Sequence, residues 1–305
     1  MQHRIRFMCL AVLLGLTASC SSDGTSANNE TPSVVVTYSA IGDVVSRLVG
    51  DAATVEVLIP NGQDQHDFMP SAQDVETINN ASLVVSNGLD LEEGLEDSLL
   101  QAEKSGVPMF HIADHVTLLH AAAKDEVTGT EKEAGHDHGT EDPHVWLDPE
   151  ILAEAVPALA KALQLATGKD FTAEASTVVG ELKALSAKVR EIMTTVDECK
   201  LVTGHDSLGY FAARYGCTVV GAVIPGFSTS AEASAGSLAD LKVIAQENGV
   251  KAIFTELGTP ADVAAQIAKE VGVDVVELST HVLPENGGYD DMMTQLATAI
   301  AGGLS

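Results

Sequence analysis

Four histidines lie in loops that follow candidate β-strands, two in each half of the chain: His66, His144, His205 and His281. A single loop histidine is usually solvated or holds a turn, so none of the four indicates a function alone. Together they can do metal chemistry, because loops at the strand ends of two facing sheets can bring their imidazoles into one cleft. Neutral imidazole is the commonest side-chain ligand of Zn²⁺, and four imidazoles complete a tetrahedral shell. The pattern therefore predicts a transition-metal site.

The elements that must position these histidines alternate between strand and helix. Residues 33–147 predict one α/β lobe with a mostly parallel sheet flanked by helices, and residues 198–305 predict a second. Residues 148–197 contain no candidate strand and predict linking helices, of which the longest runs from Thr172 to Val196. Two lobes joined by a long backbone helix leave a cleft lined by strand ends, which is where open α/β sheets bind ligands.

Several helix ends can be predicted from single residues. Ser71 with Asp74 three residues later predicts a capped helix start. Pro149 suits the first turn of a helix, and Gly168 suits its end.

Polar and aromatic residues accompany the second histidine. Asp142 and Asp148 flank His144, and we predict that one of them accepts the other N–H of the imidazole and fixes its tautomer. Trp146 is the only tryptophan, and we predict that it packs between the lobes.

An acidic stretch from about 120 to 141 has no apolar periodicity and contains His136 and His138 in the segment GHDHG. Its composition predicts a mobile loop. Two histidines at this spacing can bind zinc transiently as accessory ligands, and a solvated turn is the alternative interpretation.

The N-terminus is typical of an exported protein. Residues 1–19 have a basic start with Arg4 and Arg6, a short apolar run and small residues, which together predict a signal peptide. Cys20 then stands where a bacterial lipobox places its lipidated cysteine, although Thr17 occupies a position that is usually leucine. Residues 20–32 are polar and predict a flexible tether. An ordinary signal peptide with an incidental cysteine is the alternative.

Charge and cysteine usage limit the function classes further. The formal net charge is −28, which repels nucleic acid and attracts cations. Apart from Cys9 and Cys20, the cysteines are Cys199 and Cys217, each at the start of a candidate strand. In an oxidising compartment this pair predicts either one disulfide or two buried thiols.

Four segments in order along the chain resemble the solute-binding proteins of zinc and manganese ABC importers, the cluster with a rigid interdomain helix. They are NGQDQHDFMPS, DPHVWLDP, TGHDSLGYFAARYG and GGYDDMM. The resemblance covers essentially the whole mature chain. It implies that the metal lies in the cleft between the lobes and is held by His66, His144 and His205. Manganese-binding members usually have a carboxylate as the third metal ligand. An imidazole at that position, His205, therefore favours zinc as the bound ion.

The fourth ligand position departs from the family pattern, which usually supplies Asp or Glu. When the last strand and the following Tyr289 are matched to the family pattern, Thr280 or His281 occupies the fourth ligand position. We favour His281. Glu256 is the alternative, although the matching residue in the family looks like a structural group behind a ligand. Three histidines and a water would be the remaining arrangement.

The resemblance implies a monomeric lipoprotein on the outer face of the cytoplasmic membrane. Such a protein captures Zn²⁺, with Mn²⁺ as the alternative cargo, and delivers the ion to an ABC permease and its ATPase.

A zinc-dependent hydrolase is a competing function, but the sequence has no HExxH motif and no GxSxG elbow. A siderophore or haem carrier would need more aromatic and Arg residues than this chain has. An adhesin role is a further alternative. We therefore predict a binding protein and not an enzyme.

Overall fold

The structure is a computed structural model and describes residues 31–120 and 141–305. The predicted signal peptide, the predicted lipidation site Cys20 and the accessory histidines His136 and His138 lie outside these residues. No helix within the two described ranges has both the length and the apolar character that a membrane span needs.

The strands of the described residues form two four-stranded sheets, and every paired neighbour is parallel. In the first sheet the strands are β1 (Ser33–Tyr38), β2 (Thr54–Ile59), β3 (Leu83–Ser86) and β4 (Met109–His111). In the second they are β5 (Lys200–Thr203), β6 (Thr218–Ala222), β7 (Ala252–Thr255) and β8 (Asp274–Glu277). The orders are β2-β1-β3-β4 and β6-β5-β7-β8, so the two sheets have the same topology.

Helices connect the strands and cover the sheets. Those of the first half are α1 (Ser39–Val49), α2 (Ala72–Asn79) and α3 (Glu96–Lys104). Those between the sheets are α4 (Pro149–Thr167) and α5 (Thr172–Met193). Those of the second half are α6 (Gly209–Tyr215), α7 (Ala235–Asn248), α8 (Ala261–Val271) and α9 (Tyr289–Gly303). The predicted fold class, two α/β lobes with parallel sheets, is confirmed.

Local signals determine where the helices begin and end. The hydroxyl of Ser71 accepts the backbone N–H of Asp74, whose carboxylate accepts the backbone N–H of Ser71, as predicted for a capping box. At the start of α4, Asp148 accepts the N–H groups of the first turn. Gly168 ends α4 in the left-handed conformation, with φ 77°.

The long helix α5 spans 22 residues, about 33 Å at 1.5 Å per residue. It ends at Met193, three residues before the predicted Val196. The reason is local: the hydroxyls of Thr194 and Thr195 bond to backbone carbonyls three residues back, which closes the last turn. Polar residues then follow, so no apolar stripe continues the helix.

Helix α5 packs against both halves of the molecule. It contacts α1 of the first half and α6 and α9 of the second, and it forms an extensive interface with α4. Its buried face consists of residues at helical spacing: Ala175, Val178, Leu182, Leu185, Ser186, Val189 and Met193. This shared face joins residues of both lobes in one apolar cluster, and the second lobe has a smaller separate cluster around Ile253.

A disulfide joins the segments that lead into two neighbouring strands of the second sheet. Cys199 and Cys217 precede the paired strands β5 and β6, and their sulfurs are bonded. The backbone N–H of Thr218 also donates to the carbonyl of Cys199, so the two cysteines lie at the same level of the sheet.

We expect reduction of this disulfide to lower the free energy of unfolding by about 3 kcal/mol, because a crosslink over a loop of this length restricts the unfolded chain by that amount. The two cysteines are 18 residues apart. Denaturant unfolding with and without reductant measures the difference. The Cys199→Ser/Cys217→Ser variant is the control and should show the same loss with no further effect of reductant. An unchanged unfolding midpoint on reduction would contradict the crosslink.

Candidate metal centre

Three buried imidazoles converge between the carboxyl ends of the two sheets. His66, His144 and His205 each offer one ring nitrogen, and these three atoms lie within 4.8 Å of one another. The Nε2 atoms of His144 and His205 are 3.0 Å apart. The ring centroid of His66 lies 5.6 Å from that of His144 and 5.4 Å from that of His205. The structure therefore brings together three of the four predicted histidines.

Each histidine is placed by the backbone around it. His66 lies in the loop that leaves β2, and His205 lies two residues after β5. His144 immediately precedes a 3-10 turn, Val145–Leu147, that leads into α4. The backbone N–H groups of the three histidines all donate to carboxylates: His66 to Asp64 at 3.0 Å, His144 to Asp142 at 2.9 Å and His205 to Glu256 at 3.0 Å.

Two of these carboxylates also bind the imidazole rings. Oδ1 of Asp142 lies 2.8 Å from Nδ1 of His144, and Oε1 of Glu256 lies 2.7 Å from Nδ1 of His205. An oxygen that already accepts a backbone N–H accepts the ring N–H as well, so Nδ1 carries the hydrogen in both rings. In the neutral form of each ring, the lone pair of Nε2 then points into the centre. Of the two acids that flank His144, Asp142 is therefore its partner.

The short distance between the two Nε2 atoms defines what the site can bind. The raised pKa of His205 favours a proton on its Nε2, which then donates to Nε2 of His144 at 3.0 Å. When that proton leaves, two lone pairs face each other, and a metal cation can bind both. Two nitrogens on a tetrahedral Zn²⁺ would be about 3.3–3.4 Å apart at Zn–N distances of about 2.0–2.1 Å. The observed pair comes close to that spacing, and the chemistry of the donor set fits a metal with nitrogen preference.

Burial and charge shift the ionisation of these groups. Burial lowers the pKa of His144 well below its usual value, and the neighbouring histidines lower it further. Burial also raises the pKa of Asp142 to about 8. For His205, burial lowers the pKa, but the hydrogen bond and charge of Glu256 outweigh burial and raise it above its usual value. A dication at the centre would favour the ionised carboxylates and the neutral imidazoles.

His66 has a less complete set of partners than the other two histidines. Its Nδ1 is buried and has no hydrogen bond, although Oε1 of Glu93 lies 3.5 Å away. Neither Glu93 nor Asp64 is among the site residues predicted from the sequence. Asp64 could have been found, because it stands two residues before His66 as Asp142 stands two before His144. Glu93 lies 27 positions along the chain from His66 and has no comparable local signal.

His281, predicted as the fourth ligand, is buried but is not part of the three-imidazole group. Its Nδ1 lies 3.0 Å from the hydroxyl of Thr280, and its Nε2 is buried without a hydrogen-bond partner. Burial lowers the pKa of His281 to about 4, so the ring is neutral at physiological pH. The alternative ligand Glu256 is positioned behind His205 and not beside the free nitrogens.

Two further residues of the DPHVWLDP segment link the centre to both lobes. The indole N–H of Trp146 donates to the carbonyl of Thr280 at 2.7 Å, and its ring lies edge-on to Tyr38. Trp146 therefore contacts both lobes, as predicted. Asp148 caps α4 and forms an ion pair with Arg214 at 2.6 Å, so it does not contact the imidazoles.

Comparison with known proteins agrees with this geometry. A family model described as zinc-uptake complex component A periplasmic matches residues 34–303. The high-affinity zinc uptake system protein ZnuA of Bacillus subtilis is 29% identical over 312 residues, which cover 97% of this chain and 96% of that protein. The solved structure of the periplasmic zinc binding protein TroA from Treponema pallidum has a TM-score of 0.77 at 26% identity, covering 90% of this chain and 100% of that one.

A longer relative matches over part of its length only. The zinc-binding lipoprotein AdcA of Streptococcus pneumoniae is 29% identical over 249 residues, which cover 79% of this chain and 48% of AdcA. The chain thus spans about half the length of that relative. The family resemblance found in the four sequence segments is confirmed over nearly the whole chain. Because the family model matches residues 34–303, this protein belongs to the family of periplasmic zinc-uptake complex A components.

Proposed function

We propose that this protein binds Zn²⁺ outside the cytoplasm and delivers the ion to an ABC importer, with His66, His144 and His205 as ligands. The proposal rests most directly on one observation: two Nε2 atoms, each fixed by a carboxylate behind its ring, face each other at 3.0 Å beside a third buried imidazole. Relatives named for zinc uptake and zinc binding support the same cargo. The ion is the transported substrate, so the site serves binding and release and not catalysis.

The donor set supports zinc over manganese. The three converging ligand atoms are all imidazole nitrogens. Nitrogen donors suit Zn²⁺, whereas Mn²⁺ is better served by carboxylate oxygens. The nearby carboxylates Asp142 and Glu256 are turned to Nδ1 atoms, which leaves them as supports of the ligands.

We assign the fourth ligand position to His281. Its buried Nε2 has no hydrogen-bond partner, which is costly unless the nitrogen has another role. Its low pKa keeps the ring neutral and able to coordinate. A shift of the loop after β8 toward the centre would supply this fourth nitrogen.

We further propose that the mature protein starts at a lipidated Cys20 and is held at the outer face of the cytoplasmic membrane. The polar segment 20–32 suits a tether of this kind. The partners are then the permease and ATPase of the importer, with the protein acting as a monomer. The lipoprotein AdcA among the relatives supports the anchor.

The first test removes single ligands. Replacing His66, His144 or His205 by Ala should weaken zinc binding by about an order of magnitude or more, because each change opens the coordination shell. Competition with a fluorescent zinc chelator measures the affinity. His115→Ala is the matched control, since His115 is exposed and stacks on Phe110 away from the centre. Unchanged affinity in any of the three variants would remove that residue from the ligand set.

The second test concerns His281 and metal choice. His281→Ala should weaken zinc binding, while His281→Asp should keep zinc binding but narrow the preference for Zn²⁺ over Mn²⁺, because one nitrogen donor becomes an oxygen. Competition between the two ions on metal-free protein measures the preference. If His281→Ala binds zinc as tightly as the unmodified protein, His281 is not a ligand.

The third test uses the pKa of His205. A proton on Nε2 competes with zinc, so affinity should fall as the pH drops through the raised pKa of His205. Glu256→Gln removes the charge that raises this pKa, so the fall should begin at a lower pH in the variant. At pH 8 the variant should bind about 10–100-fold more weakly, because the amide supports the imidazole less well. Affinities measured from pH 8 to pH 5.5 compare the two proteins. Parallel pH profiles would refute the role of Glu256.

A further inference from the structure

A loop of the second lobe crosses to the two carboxylates beside His66. The hydroxyl of Ser228 donates to Oε1 of Glu93, and the hydroxyl of Thr229 donates to Oδ2 of Asp64 at 2.7 Å. Ser228 and Thr229 are consecutive residues after β6, whereas both acceptors belong to the first lobe. Hydrogen bonds of hydroxyls to carboxylates are stronger than those between neutral groups.

The same two carboxylates lie beside His66, one at its backbone and one near its ring. Oδ1 of Asp64 accepts the backbone N–H of His66 at 3.0 Å. Oε1 of Glu93, the atom that binds Ser228, is also the oxygen 3.5 Å from Nδ1 of His66. Movement of Thr229 would therefore reach the backbone of His66 through Asp64, and movement of Ser228 would shift Glu93 near the ring.

The contact is tightly packed and oriented. The side chain of Ser228 is buried, and its oxygen accepts the backbone N–H of Ser230 at 3.1 Å, which leaves its own hydrogen for Glu93. Gly258 lies against the hydrogen bond between Thr229 and Asp64. A Cβ at Gly258 would lie 2.7 Å from Cγ2 of Thr229 and would overlap the carboxylate of Asp64. Only glycine at position 258 allows the loop after β7 to approach Asp64 and Thr229 this closely.

The loop also covers the neighbouring imidazole. The ring of Phe227, one residue before Ser228, lies 6.4 Å from that of His144 between centroids. One short segment, residues 227–229, thus contacts the surroundings of two of the three histidines.

We propose that Ser228 and Thr229 form a latch that holds His66 in the cluster and sets the rate at which zinc leaves. This inference rests on the proposed function, since it assumes that His66 binds zinc. When both hydroxyl bonds break, Asp64 and Glu93 lose these two links to the second lobe, and His66 can swing away with the loop after β2. The ion is then held by the remaining imidazoles and dissociates faster. Ser228 and Thr229 are positioning residues that act through His66.

The experiment compares zinc release from the full protein and from Ser228→Ala/Thr229→Val, which removes both hydroxyls at nearly constant volume. Mixing zinc-loaded protein with excess colorimetric chelator in a stopped-flow instrument gives the dissociation rate. We expect the rate to rise by about tenfold or more in the variant, because two hydrogen bonds to charged acceptors are lost. Ser230→Ala lies in the same loop and keeps both hydroxyls, so its rate should equal that of the unmodified protein.

A second comparison separates the latch from general loosening. In a His66→Ala background, the double substitution should not accelerate release further, because the residue through which the latch acts is gone. Ser228→Thr/Thr229→Ser keeps both hydroxyls and should preserve slow release. An unchanged dissociation rate in the double variant, or equal acceleration with and without His66, would overturn the latch. Failure of the unmodified protein to bind zinc would instead refute the proposed function, and this inference with it.

Discussion

The central constraint in this protein is a pair of buried imidazoles whose free nitrogens face each other. Asp142 and Glu256 each fix one ring through Nδ1, so the Nε2 atoms of His144 and His205 face each other at 3.0 Å. If either ring turned away, its carboxylate would lose the hydrogen bond to Nδ1 and keep only its other donors, at a cost of about 1–3 kcal/mol. A proton on Nε2 of His205 satisfies both nitrogens, and a metal cation between them would take its place. The strand ends, helix caps and loops around the centre hold the two rings in this orientation.

The junction between the lobes keeps the centre in place. The indole of Trp146 donates to the carbonyl of Thr280, and the hydroxyl of Tyr289 donates to the carbonyl of Trp146. Both bonds are buried, and pulling the lobes apart would leave each polar group unpaired at about 1–3 kcal/mol. The shared apolar face of α5 adds to this resistance. Local movement of the loops around the histidines is therefore a less costly route for the metal than separation of whole lobes.

Much of this architecture could be predicted from local patterns. Ser71, Pro149 and Gly168 act within a few residues of themselves, so the helix ends that they mark follow from the sequence. The four histidines could be found because each follows a recognisable strand or motif. The role of Glu93 could not, because its approach to His66 depends on how a 3-10 turn packs beside the β2 loop. The position of His281 outside the three-imidazole group depends likewise on a loop whose course is set by tertiary contacts such as that with Asn61.

Charge explains how an all-nitrogen centre can hold a dication. Neutral imidazoles leave the full +2 charge of the metal uncompensated by its own ligands. The carboxylates of Asp142 and Glu256 lie directly behind two of those ligands and can balance the charge through the rings. Carboxylates placed behind the imidazoles neutralise the ion without offering it oxygen donors, which would also suit manganese. The raised pKa of Asp142 fits this account, because a buried carboxyl that resists ionisation alone becomes ionised when a metal ion occupies the adjacent imidazole. Selectivity and charge balance thus come from different atoms of the same site.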